Sequence, residues 1–280
     1  MSQKSPLTQA ADVRYIYDGT LTGFYSCVHE SVYTHEFPLE ILPMEQAEHS
    51  LLSEKFIVTD PEKSKKVRAS VSTKIPPRAR SLLEMVFLSC LPEKELHLLR
   101  FLLYGYESAC DISQRLAEPC VTILLEAENH LLRERHLLLG FVRFSDYDGL
   151  LAATITPKNF VLPLLRTHFV GRYPNENFVI VDKTHHYALL YQNKVCELIP
   201  VEQVNFPPPG QQEERYRTLW KSFYNTIAIT SRSNEACRMT HMPKRYWENM
   251  LEVSHLLSPT SSATPEALHP ASLLSIGSSV

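Results

Sequence analysis

Hydrophobic positions recur with two periods along this chain, and the period decides the element. After a polar arm at residues 1–11, "VRYIYDGT" reads as a short strand ending at Asp18-Gly19. Leu21, Phe24, Val28 and Val32 then recur at helical spacing, with Thr20 placed to cap the helix. Residues 43–55 carry a second helical pattern, and "FIVTD" reads as a brief strand. Helical spacing resumes over 81–106, interrupted at Pro92, and again over 121–138. In that last helix Glu126, Glu128, Arg133, Glu134 and Arg135 are assigned to the wet side.

From residue 139 the texture changes. "GFVRFSDYDGLLAATITP" is two strands around an Asp148-Gly149 turn. "FVLPLLRTHFVGRY" is helical and should begin near Phe160, because Pro163 fits only a first turn. "NFVIVDKTHHYALLYQNKVCELIP" gives three short strands, with turns near Thr184 and Asn193. "FPPPG" is a rigid extended connector to a helix over 212–229. A turn at Ser231–Asn234 leads to a second closing helix, and the Ser-, Pro- and Ala-rich residues 256–280 read as a disordered tail.

The expected fold is α+β: a helix-rich N-terminal half, a small, mostly antiparallel sheet with one helical crossover, and two closing helices. Residues 12–255 form one domain in this reading, with a helical lobe at 12–138, a sheet lobe at 139–205 and closing helices at 211–253.

The closing segment "MPKRYWENM" sets Lys244 and Arg245 beside Tyr246 and Trp247. Pro243 suits a helix start. Trp247, Met250 and Leu251 then share one face, so Trp247 is assigned to the core and the two cations to the surface.

Composition removes several functions. The apolar content of 44% and charged content of 21% are those of a globular chain. No apolar run is long enough to span a membrane, and no secretory signal is visible, so the cytoplasm is the expected location. The six cysteines lack ligand spacing, which disfavours zinc, iron–sulfur and disulfide frameworks. Phosphate-cradling glycine motifs are missing, and no metal or cofactor is expected. A net charge of −3 means that any polyanion must be met by a local patch.

One such patch is "KSKKVRASVSTKIPPRAR", residues 63–80, with no acid among its cations Lys63, Lys65, Lys66, Arg68, Lys74, Arg78 and Arg80. Pro76-Pro77 should keep part of it extended. Such a run can release counterions from a phosphate backbone, or simply be a solvated loop. Arg238, Lys244 and Arg245 would extend the surface if the closing helix packs nearby. A second candidate is His168, Arg172 and Asp182. His168 and Arg172 are i, i+4 on one helix face, and Asp182 closes the next strand. The three could bind phosphate or move a proton, or form a structural ion pair.

Four segments together resemble a known family: "YIYDGTLTGFYSCVHE", "LLGFVRF", "LPLLRTHFVGRYPNENFVIVD" and "LWKSFYNTIAITSRSNEACRMTHMPKRYW". They are similar to the family named for DNA metabolism, a domain of unknown function. It accompanies a radical S-adenosylmethionine protein of DNA modification or repair, and elsewhere is fused behind a uracil-DNA glycosylase-like domain. The resemblance covers about residues 13–253. It implies an accessory protein of DNA repair or nucleic-acid metabolism, with nucleic acid, DNA before RNA, and the radical protein as partners. It also implies an arginine three residues after the strand-ending aspartate. Here His185 follows Asp182, and Phe178 stands where a tryptophan is common. Two rival readings stay open: a nucleic-acid-processing enzyme using His168, and a protein–protein adaptor that never touches DNA.

Overall fold

A computed structural model of the chain describes residues 10–107, 112, 115–202, 204, 206–229 and 234–254. The expected tail, most of the 231–234 turn, nearly all of the N-terminal arm and Cys110 lie outside the described residues. The architecture is α+β, in two compact units, Met1–Leu132 and Arg133–Val280. The unit boundary after Leu132 and the lobe boundary expected after residue 138 both fall inside one long helix.

The first unit opens with β1 (Ala10–Tyr17), whose residues alternate little because the strand is central and buried on both faces. It leads to α1 (Leu21–Thr34), capped as expected by the Thr20 side chain accepting from the Gly23 amide. β2 (Phe37–Pro43) and β3 (Ser53–Phe56) then flank β1 in a parallel sheet of order β2-β1-β3. The helix expected over 43–55 is therefore absent. Only Met44–Gln46 winds, as one 3-10 turn, and β3 starts earlier than "FIVTD" suggested. β3 is an exposed edge strand with polar residues, so it carries no hydrophobic alternation.

The basic stretch is mostly helical, and the part expected to be extended is confined to Ile75 and Pro76 between two helices. Asp60 caps α2 (Pro61–Lys74) by accepting from the amides of Glu62 and Lys63, and Pro61 occupies the first turn. Pro77 opens the next helix, α3 (Pro77–Phe87), in the same way. Each proline starts a helix at a position where a missing amide costs nothing. α4 (Lys94–Glu107) completes the packing, with Leu82, Leu83, Leu98, Leu99 and Phe101 fully buried.

α5 (Pro119–Phe141) runs into the second unit. There, β4 (Ser145–Tyr147) and β5 (Leu150–Ile155) form the hairpin, with Asp148 and Gly149 both at positive φ. The Asp146 side chain accepts from the Gly149 amide at 2.8 Å and sets the turn. α6 (Leu162–Arg172) crosses over to β6 (Asn177–Asp182), which pairs parallel with β5. β7 (Tyr187–Gln192) and β8 (Val195–Pro200) follow antiparallel, giving the order β4-β5-β6-β7-β8. This sheet is mostly antiparallel with one helical crossover, as the sequence indicated. α7 (Gln211–Ile227) and α8 (Glu235–His241) close the unit. The segment Lys244–Asn249 is 3-10 rather than α-helical, yet Tyr246, Trp247 and Met250 are buried as the spacing required.

Candidate functional site

Within the second unit a half-open cleft of about 820 Å³ lies between α6, the segment after α5, and α7. Pro163 in the first turn of α6 sets the register that sends Leu162, Leu165 and Phe169 into the core. His168 and Arg172 are then left one turn apart on the cleft wall. Phe144 packs edge-on against Phe169, Tyr173 and Phe178 and makes the aromatic floor.

Three polar ties hold α7 over this floor. Arg217 donates to the Ser145 hydroxyl at 2.6 Å and to Glu213 at 2.9 Å. The Asp146 amide donates to Glu213 at 3.2 Å. The Trp220 indole donates to Glu252 at 3.1 Å, and Arg143 donates to the other Glu252 oxygen at 2.7 Å. The Arg143 guanidinium also sits over the Trp220 ring, 5.6 Å from its centre. Burial alone would raise the Glu252 carboxyl, but the bonds from Arg143 and Trp220, with a backbone amide, outweigh it and hold the group below its usual range.

These ties decide which cleft cations are available. Arg143 is matched by Glu252 and Arg217 by Glu213. Arg172 is exposed, lies over the Tyr173 ring at 5.8 Å, and has no carboxylate partner among the described residues. His168 stands edge-on to Phe169. The apolar side of α7 is not covered: Tyr216, Leu219 and Phe223 are each more than half exposed and Trp220 is 38% exposed. The cleft therefore offers one uncompensated guanidinium and an imidazole beside exposed aromatic faces.

Asp182 is not in this cleft. α6 runs antiparallel to the strands it connects, so Arg172 lies near the start of β6. Asp182 closes β6 at the other end, about 16 Å of strand away at ~3.3 Å per residue. Its fully buried carboxylate accepts from the amides of Thr184 and His185, at 2.9 and 3.2 Å, and pairs with His185 Nδ1 at 2.7 Å. The proposed triad therefore separates into a His168–Arg172 pair and an Asp182–His185 turn lock. The residue at the position where the resemblance implies arginine is the partner of Asp182.

The basic stretch is distributed around α2 and α3, and acids from elsewhere reach part of it. Lys63 pairs with Glu30 at 3.6 Å, and Arg78 forms a two-pronged pair with buried Glu128. Arg80 donates to Ser72 at 3.1 Å, and Lys74 lies over the Tyr106 ring at 5.5 Å. Lys65, Lys66 and Arg68 are exposed on α2, and among the described residues none has a carboxylate partner within ion-pair distance.

In the closing segment, Arg238 and Lys244 both lie over the Trp247 ring, at 5.5 and 5.9 Å. Arg238 also pairs loosely with Glu235. Arg245 is not a free surface cation: it pairs with Glu134 at 3.1 Å and covers Tyr246. Glu128 and Glu134, both assigned to the wet side of α5, are buried.

Glu134 was invisible as a structural centre in the sequence, because its donors lie far along the chain. It accepts from the amides of Lys158 and Asn159 at 3.0 and 2.7 Å, from the Asn159 side chain, and from the Tyr246 hydroxyl at 2.7 Å. Among the described residues no cluster of three or more His, Cys, Asp or Glu side chains could hold a metal ion.

The family model of a domain of unknown function, DUF4130, matches residues 92–252, more than half of the chain. The chain belongs to the DUF4130 family. A search of curated proteins finds no match. The DUF4130 match contains every residue of the cleft, from Leu139 to Leu251, together with Glu134 and Tyr246. The basic helix α2 precedes it. No helix among the described residues is long and apolar enough to cross a membrane.

Proposed function

We propose that this DUF4130 protein binds single-stranded nucleic acid in the α6–α7 cleft, as an accessory protein of DNA metabolism. The observation that carries the reading is the placement of uncompensated Arg172 beside exposed aromatic rings in one groove. Arg172 contacts a backbone phosphate, and Trp220 and Phe223, with ring centres 6.0 Å apart, offer faces on which bases stack. Stacking of this kind requires unpaired bases, which selects single strands over duplex. Lys65, Lys66 and Arg68 on α2 are a separate phosphate-binding candidate of the first unit, read by itself. The DNA role and the association with a radical S-adenosylmethionine protein rest on the sequence resemblance alone.

The exposed apolar side of α7 also supports an adaptor reading, in which that helix receives a protein partner. An enzymatic use of His168 has less support, since among the described residues neither Asp182 nor any other carboxylate is paired with its ring. The test uses intrinsic fluorescence. The chain has two tryptophans, and Trp247 is buried. A Trp247→Phe variant makes Trp220 the sole reporter, and a short oligothymidylate should quench it, with Arg172→Ala weakening the effect. Absence of any response at low salt, with capture of a protein partner that Phe223→Glu abolishes, would replace the strand-binding reading by the adaptor.

A further inference from the structure

The first unit holds a second cleft, which shares Lys66 with the α2 candidate and no residue with the α6–α7 cleft. It lies between α1 and α2, closed at one end by Tyr106 of α4, and has a volume of about 390 Å³. This falls within the size range of small-ligand sites. Val28 and Val32 on α1 and Val67 on α2 make its apolar wall. His29 and Tyr33, one turn apart, present two nearly parallel rings with centres 5.7 Å apart and planes tilted by 15°.

His29, His35, Lys66 and Ser70 supply the polar groups of this wall, and among the described residues no carboxylate lines it. Lys63, one turn before Lys66, is taken by Glu30, whereas Lys66 is exposed and has no carboxylate within ion-pair distance among the described residues. Lys74 reaches the far end, over Tyr106. The Nδ1 of His29 is shielded from solvent and has no hydrogen-bond partner. Buried polar atoms are normally paired, so this open nitrogen beside the cleft calls for an explanation.

We infer that the α1–α2 cleft binds a planar aromatic anion of nucleoside-monophosphate size, its ring against Tyr33 and the valine wall and its phosphate on Lys66. The apolar wall and ring faces exclude water from a flat heterocycle. The uncompensated ammonium selects ligands that carry a negative group. Neither step needs the α6–α7 cleft.

The test is calorimetric titration of the full chain with adenosine monophosphate, adenosine and inorganic phosphate. Adenosine monophosphate should bind, with adenosine weaker by about tenfold for loss of the charged contact, and phosphate alone too weak to compete. Lys66→Ala should erase most of the difference between nucleotide and nucleoside. Val32→Trp fills the cleft from a position already 44% exposed, so the fold tolerates it, and binding should be lost. Arg172→Ala should leave nucleotide binding unchanged even where it weakens oligonucleotide binding, which separates this site from the strand groove. Equal affinity for nucleotide and nucleoside, binding unaffected by Val32→Trp, or no binding at millimolar nucleotide would each overturn the assignment.

Discussion

The Glu134 carboxylate and the Tyr246 hydroxyl, 112 positions apart in sequence, are joined by a 2.7 Å hydrogen bond. That bond ties the closing segment to α5, and Arg245 adds a charge to the same oxygen at 3.1 Å. A buried carboxylate with this many donors is costly to disturb from either side. Glu134→Ala strands Arg245 and the amides of Lys158 and Asn159 without their acceptor. It should lower the unfolding free energy by about 3–5 kcal/mol in urea titration. Tyr246→Phe removes one donor of several and should cost about 1–2 kcal/mol.

The same centre sets a pH dependence. Burial alone would raise the Glu134 carboxyl, but bonds from Lys158, Tyr246 and Asn159 outweigh it and hold the group below its ordinary 4.5. A carboxyl depressed on folding contributes stability that is fully present above the unfolded pKa and is lost as pH falls through the folded one. Stability should therefore hold from neutrality down to about pH 5 and decline below it. Glu252, also depressed, adds to the same limb. In Glu134→Gln the decline measured by urea midpoint should be shallower, because that group no longer titrates.

These two centres also mark how far the sequence could be read. Local periodicity located α1, α5, α6, α7 and the β6–β8 meander, since each buries one face and declares it by spacing. It missed β2 because Pro38 and Pro43 interrupt an otherwise alternating segment, and read the next residues as helix although only Met44–Gln46 winds. Asp60 followed by Pro61 is a legible helix start, since the carboxylate caps and the proline needs no amide donor there. His168 and Arg172 share a face by simple i, i+4 geometry, and that much was available. The far ends of long-range bonds were not: no local pattern tells Glu134 that its partners are Asn159 and Tyr246, or tells Lys63 that Glu30 awaits it.

Asp182 supplies a third prediction. Its bonds to two amides and to His185 make a turn lock, so Asp182→Ala should destabilise the unit by about 2–4 kcal/mol. His185→Arg keeps an N–H donor opposite the carboxylate and should cost under about 1 kcal/mol, whereas His185→Ala should cost more. Thermal unfolding of the three variants orders them. If His185→Arg were the most damaging, the lock would depend on the imidazole shape and not on a donor alone.

The last prediction separates cations that sequence alone placed in one group. Arg245 is fixed to buried Glu134, while Lys65, Lys66 and Arg68 stand on α2 without carboxylate partners among the described residues. Arg245→Ala should behave as a stability mutant, losing about 3 kcal/mol. Its oligonucleotide affinity should be unchanged under conditions where it is folded. The triple alanine variant at Lys65, Lys66 and Arg68 should unfold at nearly the wild-type midpoint, since exposed helix positions accept alanine. Each phosphate contact on a single strand contributes about 0.7 to the slope of log affinity against log salt. Removing three should reduce that slope by about 2. A slope equal to wild type would remove α2 as a phosphate contact.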